Sequence, residues 1–316
     1  MDVSSSAPPA VRGPQGLQRR TGAERRQARV AFWFLLPWAI GFLAFVIWPI
    51  LDSLYLSFTN YNILSRPHWI GFGNYTYMLF GSGSLFWNSV LVTLYYVMVS
   101  VPLGTVIALA LAVLLNQKVV GEGLFRTLFY IPSVISGVAV AVLWFWVFQP
   151  QFGLLNSLLY SVFHVANGPQ WLQGTGTAMP SLILMSLWSL GTPMLVYLAG
   201  LQGIQYEMYE AAKVDGARSW RMFRHITLPM LTPQILFNVI LGLIAAFQLF
   251  INPYIMTQGG PGYATTTMVL YLYKSAFQDF QMGYASALAW AILVFTLAFT
   301  AFVFRSFTNR VFYGGE

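Results

Sequence analysis

Glu210-Ala-Ala-Lys-Val-Asp-Gly-Ala217, eight further residues, then Ile226-Thr-Leu-Pro229 and Pro233 bring together a carboxylate, small residues, a turn glycine and helix-ending prolines. Taken alone, these residue types fit either a solvated loop with positive-inside arginines or a docking surface, and they offer no bond chemistry. The Ala-rich run Glu207–Val214 favours a short helix, and Gly216 stands where a left-handed C-terminal cap belongs. Ser219 is placed to cap a second helix, with Trp220, Phe223 and Ile226–Thr227 on one side and Arg218, Arg221 and Arg224 on another. Leu228-Pro229 then ends that helix. The expected product is a compact helix–turn–helix knob. Ala211, Ala212 and Ala217 permit close approach to a partner around the Asp215-Gly216 turn, and Glu210 offers an exposed carboxylate.

A second constellation could hold a hydroxylated solute. Asn238, Gln248 and Asn252 fall within an arc of about 80° on a helix that turns 100° per residue. An amide facing hydrocarbon costs several kcal/mol, so such a stripe faces protein or water. Two readings fit it: the lining of a polar path, or interhelical glue worth about 0.6–2 kcal/mol per bond. Trp188 and Tyr254 add aromatic faces for stacking, as do Tyr197, Tyr284 and Trp290.

Other chemistries lack their residues. There is no cysteine, which excludes thiol nucleophiles and thiolate metal sites. His68, His164 and His225 are far apart, without metal-ligand spacing. No G-x-x-x-x-G-K-[ST] loop occurs, so the chain has no P-loop route to ATP. No apolar run carries the Asp/Glu/His relay of a proton-coupled carrier. The expectation is a non-enzymatic chain with no catalytic residue, metal or cofactor of its own.

The elements that position these groups must lie in a membrane. The chain is 57% hydrophobic and 8% charged, where a soluble domain carries about 25% charged residues. Six runs, at about 31–51, 89–115, 124–148, 179–201, 234–255 and 284–304, reach the roughly 20 apolar residues that a bilayer crossing needs. In lipid they must be helices, and their interruptions at Pro37, Pro102, Pro193 and Pro253 need outside partners for the freed carbonyls. All sixteen basic residues except Arg66 and Lys274 fall on one side if the N-terminus is cytoplasmic. Both termini and the 202–233 loop are therefore expected in the cytoplasm. The net charge of +7 then reflects membrane orientation, not nucleic-acid binding. Residues 1–29 read as a disordered basic tail, 30–308 as the membrane domain and 309–316 as a short cytoplasmic tail. The run after the paired arginines is too long for a cleavable signal core and has no small-x-small site.

The Glu210–Pro233 pattern resembles the E-A-A-x-x-x-G-A … I-x-L-P loop of permease subunits of binding-protein-dependent ABC importers. Two outside segments are similar to the carbohydrate branch of that family: Trp69-Ile-Gly-Phe-Gly-Asn-Tyr75 with Phe86-Trp87, and Thr257-Gln-Gly-Gly-Pro261 through Thr267 to Phe277. The resemblance spans about residues 30–308. It implies an all-α, six-helix type I ABC importer permease fold that imports a sugar or oligosaccharide. It also implies a bacterial or archaeal cell-membrane location and a second homologous permease. Two cytoplasmic ATPases using ATP and Mg, and an extracytoplasmic binding protein, would complete the assembly. In that family the loop docks on the ATPase, which would give this role to Glu210, Ala211, Ala212, Asp215, Gly216, Ala217, Trp220 and Phe223. The chain departs from the maltose-type permease, whose large external domain has no counterpart in segment 52–88. Glycerol phosphate or another polar solute is the alternative, and a stand-alone carrier the remoter one. A phosphate would call for cationic residues along the spans, which carry almost none. A reporter fused after residue 230 is expected in the cytoplasm and one after residue 80 outside; the reverse placement of the 202–233 loop would exclude ATPase docking.

Overall fold

The computed structural model describes residues 22–117, 121–165 and 168–308 and divides into two compact units, residues 1–53 and 54–316. The first contains α1 (Gly22–Phe42), a π-helical turn at Leu43–Ile47 and the start of α2 (Trp48–Ser57). Val30–Ser57 is one apolar helix long enough to cross a bilayer, with none of its apolar window buried. Phe34 and Phe45 are about four-fifths exposed, as suits side chains solvated by lipid rather than water. The helix begins earlier than the sequence pattern suggested. The expected tail runs to residue 29, but α1 starts at Gly22, because Glu24–Arg29 are good helix formers joined directly to the apolar run. The rest of that tail, and the one at 309–316, lie outside the described residues.

The second unit opens with a two-stranded antiparallel ribbon, β1 (Thr59–Asn60) and β2 (His68–Trp69), pairing Thr59 with Trp69 and Asn60 with His68. Helices follow: α3 (Gly73–Phe80), α4 (Phe86–Leu115), α5 (Glu122–Val134), α6 (Gly137–Val147) and α7 (Leu154–Phe163). Next come α8 (Ala178–Ser186), a 3₁₀ turn (Leu187–Ser189) and α9 (Gly191–Gln202). Short helices α10 (Tyr206–Val214), α11 (Ser219–Met222) and α12 (Leu228–Met230) lead to α13 (Thr232–Phe247) and α14 (Ile251–Met256). The chain then runs through α15 (Met268–Phe277) into α16 (Met282–Thr308).

Among the described residues four stretches are long and apolar enough to cross a membrane: Val30–Ser57, Phe86–Leu115, Thr232–Met256, which runs through the α13/α14 joint, and Met282–Thr308. The pairs α5/α6, bent by 100°, and α8/α9, bent by 47°, bring the count to six if each is one crossing. The expected continuous helices at 124–148 and 179–201 are thus broken, and prolines explain where. Pro132 lies three residues before the α5/α6 break, while Pro193 sits in the first turn of α9, where a missing N–H does little harm. Pro102, by contrast, stays inside α4 without a break.

Helix α4 packs against α9, α13 and α15. Its buried small residues Gly104, Ala108 and Ala112 recur every four positions, the arrangement that lets membrane helices approach closely. Ala108 and Ala112 meet Met194, Tyr197, Leu198 and Leu201 of α9 in one cluster. A larger cluster centres on Tyr96, Val97, Leu182 and Phe247.

The two motifs at 69–87 and 257–277 prove to be clasps. Asn74 Nδ2 donates to Ser57 O (2.8 Å) and Thr59 O (2.9 Å), and the Tyr75 hydroxyl donates to Ser57 Oγ (2.8 Å). A Cβ at Gly283 would sit 2.1 Å from Thr59 O, so only glycine lets α16 lie against this segment. In the second motif, Gly259 (φ +87°) and Gly262 (φ +54°) turn the chain back. Thr265 Oγ1 donates to Gly260 O (2.8 Å) and Thr266 Oγ1 to Gly259 O (2.9 Å). Pro253 has no N–H to offer the carbonyl of Leu249, four residues earlier. Thr267 Oγ1 donates to that carbonyl instead (2.7 Å), and it also caps α15 by accepting from Leu270 N (3.3 Å). Thr267→Val should leave a partly buried carbonyl unpaired and remove the cap, costing about 1–3 kcal/mol. A clear drop in the thermal midpoint of the purified protein is expected, with Thr267→Ser near wild type.

Candidate functional site

The knob is built by local capping. At the end of α10, Gly216 N–H bonds to Lys213 O (3.0 Å) and Ala217 N–H to Ala212 O (2.9 Å). This paired pattern is the Schellman turn, with Gly216 left-handed at φ +75°. Arg218 then runs extended, at ψ 160°, and holds the N-cap position of α11. Ser219, expected as the cap, is instead the first helical residue, and the cap position makes no side-chain hydrogen bond. The second helix does not stop at Leu228-Pro229 either. It widens to π spacing over Phe223–Thr227, with Leu228 N–H bonded to Phe223 O, and continues as α12. A wider turn accommodates a proline that cannot donate. The hydroxyls of Tyr209 and Thr227, 2.9 Å apart, clasp α10 to this second helix.

The knob presents a mixed face. Glu210, Ala211 and Asp215 are exposed, and Ala212 and Ala217 are half-buried. Trp220 stacks on Phe223 at 5.6 Å. Val214 is 88% exposed and Trp220 70%, so this apolar area has no cover among the described residues. A cleft of about 350 Å³ between the helices is lined by Ala212, Asp215, Ala217, Arg221, Met222 and His225, among others.

Within the membrane region two polar cavities adjoin. The first, about 290 Å³, lies between α4, α9 and α13 and is lined by Tyr96, Ser100, Thr105, Tyr197 and Asn238 among others. The second, about 350 Å³, is lined by Ser133, Ser189, Thr192 and Asn252 among others. Ser186 and Ser189 line both. The second cavity sits where three interruptions meet: α5/α6, α8/α9 and α13/α14. Gly191 brings α9 against α5, since a Cβ there would lie 2.7 Å from Phe129 O. Among the described residues no charged side chain lines either cavity.

The polar stripe expected from sequence does not survive as one stripe. Helix α13 ends at Phe247 and α14 restarts at Ile251, so the 100° phase is lost between Asn238 and Asn252. Asn238 opens into the first cavity and Asn252 into the second, while Gln248 is exposed at the C-cap of α13 and lines neither. Trp188 packs edge-on to Trp144 at 6.0 Å, and Tyr254 stacks on Phe250 at 5.1 Å. Those two rings are occupied by packing. Sequence reasoning passed over Ser133, Ser186, Ser189 and Thr192. Their signal was proximity to Pro132 and to Gly191-Thr192-Pro193, where small hydroxyl residues flank helix breakers.

Long apolar helices, broken spans around uncharged cavities and an appended knob define a membrane transport subunit. Residues 100–310 match the family described as binding-protein-dependent transport system inner membrane component. The chain is 42% identical over 298 residues to the probable ABC transporter permease protein YesP of Bacillus subtilis (strain 168), covering 93% of this chain and 96% of that one. It is 33% identical to the trehalose/maltose transport system permease protein MalF of Thermococcus litoralis over 276 residues, 86% of this chain and 90% of the relative. Among solved structures, its fold matches a bacterial ABC transporter involved in import of the acidic polysaccharide alginate, with TM-score 0.79 and 24% identity, over 91% of this chain and 98% of that one. It also matches a bacterial alginate ABC transporter in complex with an alginate pentasaccharide-bound periplasmic protein, with TM-score 0.78 and 24% identity, over 90% of this chain and 96% of that one. The chain belongs to the family of inner membrane components of binding-protein-dependent transport systems. It is an ABC importer permease: a transport subunit, not an enzyme.

Gly216 allows a test of the knob alone. No atom lies within 4 Å of a Cβ built there, so the penalty of Gly216→Ala is backbone strain, roughly 1 kcal/mol or more. Hydrogen exchange at residues 206–222 should quicken about fivefold or more, with the membrane helices unchanged.

Proposed function

We propose that this chain is one half of the membrane channel of an ATP-driven importer for a neutral sugar or oligosaccharide. A second, homologous permease would complete the channel. An extracytoplasmic binding protein would deliver the solute, and two cytoplasmic ATPases using ATP and Mg would drive alternating access. Both termini and the knob face the cytoplasm, in a bacterial or archaeal cell membrane. The observation that carries this reading is the knob: a capped turn with an exposed carboxylate and an uncovered Trp220, set between α9 and α13. Glu210 forms a charge-assisted contact with a basic group of the ATPase, while Ala211, Ala212, Asp215, Gly216 and Ala217 allow its close approach. Trp220 and Phe223 supply the apolar part of that interface.

The solute path passes the cavity at the helix breaks, where Asn252 is the principal hydrogen-bonding amide, and adjoins the Asn238 cavity through Ser186 and Ser189. Support for a sugar comes from the trehalose/maltose name of one relative and from amide and hydroxyl linings suited to hydroxyl groups. The uncharged linings favour a neutral solute over a phosphate or uronate, which would call for Arg or Lys.

In the complete importer rebuilt in liposomes, Glu210→Lys should abolish co-purification of the ATPase and solute-stimulated ATP hydrolysis. Disrupting one partner of a desolvated charge pair costs about 2–5 kcal/mol. Asn252→Leu should assemble normally and slow uptake. Wild-type coupling in the first variant overturns the docking assignment, and wild-type uptake in the second moves the path elsewhere.

A further inference from the structure

Three buried polar atoms on the facing sides of α9 and α13 make no hydrogen bond of full geometry, Tyr197 Oη, Asn238 Nδ2 and Gln234 Oε1, and Tyr197 has only the Thr105 and Asn238 side chains in loose approach. Tyr197 is 0% exposed, yet it lines the α4/α9/α13 cavity beside Asn238, Ser100 and Thr105. Gln234 lies four residues before Asn238 on α13, on the same face. That face meets α9 closely, since a Cβ on Gly200 would be 3.1 Å from Gln234 Cγ and Cδ. Buried polar groups in proteins are satisfied almost without exception, so orphaned atoms grouped around one space mark a missing hydrogen-bonding occupant.

The space fits that occupant. Its volume of about 290 Å³ is far above the roughly 10–15 Å³ that one water requires, and Ser100, Thr105, Ser186, Ser189, Tyr197 and Asn238 set polar groups along an otherwise apolar wall. Ala245, the exposed member of its lining, marks an opening. With no charge in the lining, the ligand chemistry is an uncharged hydroxyl, able both to donate to Tyr197 or Gln234 oxygens and to accept from the Asn238 amide.

We propose that this cavity is a hydration site, holding a cluster of ordered waters on Tyr197, Asn238, Ser100 and Thr105 that continues along the α9–α13 seam to Gln234. The site does not depend on which solute the importer carries. Its consequence is mechanical. Helices α9 and α13 are the two elements that join the knob to the membrane unit. A seam bridged by water can shift by exchanging water hydrogen bonds, whereas a dry one must break interlocked packing.

The test is hydroxyl-radical footprinting by X-ray radiolysis of the complete importer in nanodiscs, read by mass spectrometry, because radicals generated from bound water label the nearest side chains. Tyr197 should be modified about tenfold faster than Phe247, a ring equally buried that does not line this cavity. Asn238→Leu, which removes the amide, should bring Tyr197 down toward the Phe247 rate. Tyr197 labelled no faster than Phe247, or unaffected by Asn238→Leu, overturns the site. Repeating the measurement with saturating solute-loaded binding protein separates the two sources of hydroxyl. Retained labelling supports water, and labelling lost on loading assigns the cavity to the passing solute and overturns the hydration site.

Discussion

A carbonyl inside a bilayer has no water to turn to, and that constraint organises this molecule. Every interruption of a membrane helix frees backbone groups worth several kcal/mol each if left unpaired. The break at Gln248–Phe250 is tolerated because Thr267 returns from beyond the glycine turn to donate to Leu249 O. The whole Thr257–Thr267 segment serves that bond. Its glycines reverse the chain, Thr265 and Thr266 fix the reversal to Gly260 and Gly259, and Thr267 is held at the start of α15. A connecting loop and a break in an apolar helix are thus one structure.

The same constraint explains where the polar cavities lie. Irregular backbone at membrane depth must face protein or a water-accessible space. The α5/α6, α8/α9 and α13/α14 breaks all face one cavity, which therefore collects Ser133, Ser189, Thr192 and Asn252. Discontinuous helices recur at solute sites in transporters for this reason: a broken helix turns its own backbone groups toward the space it opens.

Composition and spacing made the membrane class, the apolar runs and the glycine turn at 216 legible, because each rests on local chemistry. What was not legible depended on partners distant in sequence. A helical wheel assumes an unbroken helix, so it aligned Asn238, Gln248 and Asn252 although the break turns them to three different environments. Proline alone does not announce a break: Pro102 stays within α4, whereas Pro132 precedes a 100° bend. The difference lies in what packs nearby, since α5 must pass Gly191 of α9 while α6 packs on α14. Ser219 looked like a cap because capping is a side-chain habit, but Arg218 reached the same backbone position by extending after the glycine. The clasp of Asn74 on Ser57 and Thr59 joins residues fifteen and seventeen apart, a spacing that no periodicity reports.

The knob's chain connections decide what its movement can do. It departs from α9 and returns through α12 to α13, and the Tyr209–Thr227 bond ties its two arms together. A force on the knob is therefore shared between α9 and α13 rather than absorbed by one flexible arm. Those helices form two walls of the first cavity. The second cavity touches α9 at Thr192 and the continuation of α13 at Asn252. Both helices also end at a break: α9 begins after the 3₁₀ turn at Leu187–Ser189, and α13 stops at Phe247. Each can tilt as a half-helix about its break while α8 and α14 stay with their own neighbours. A displacement at the knob would then appear at the cavity walls as a change of angle between each half-helix and its partner across the break, since the pivots lie there.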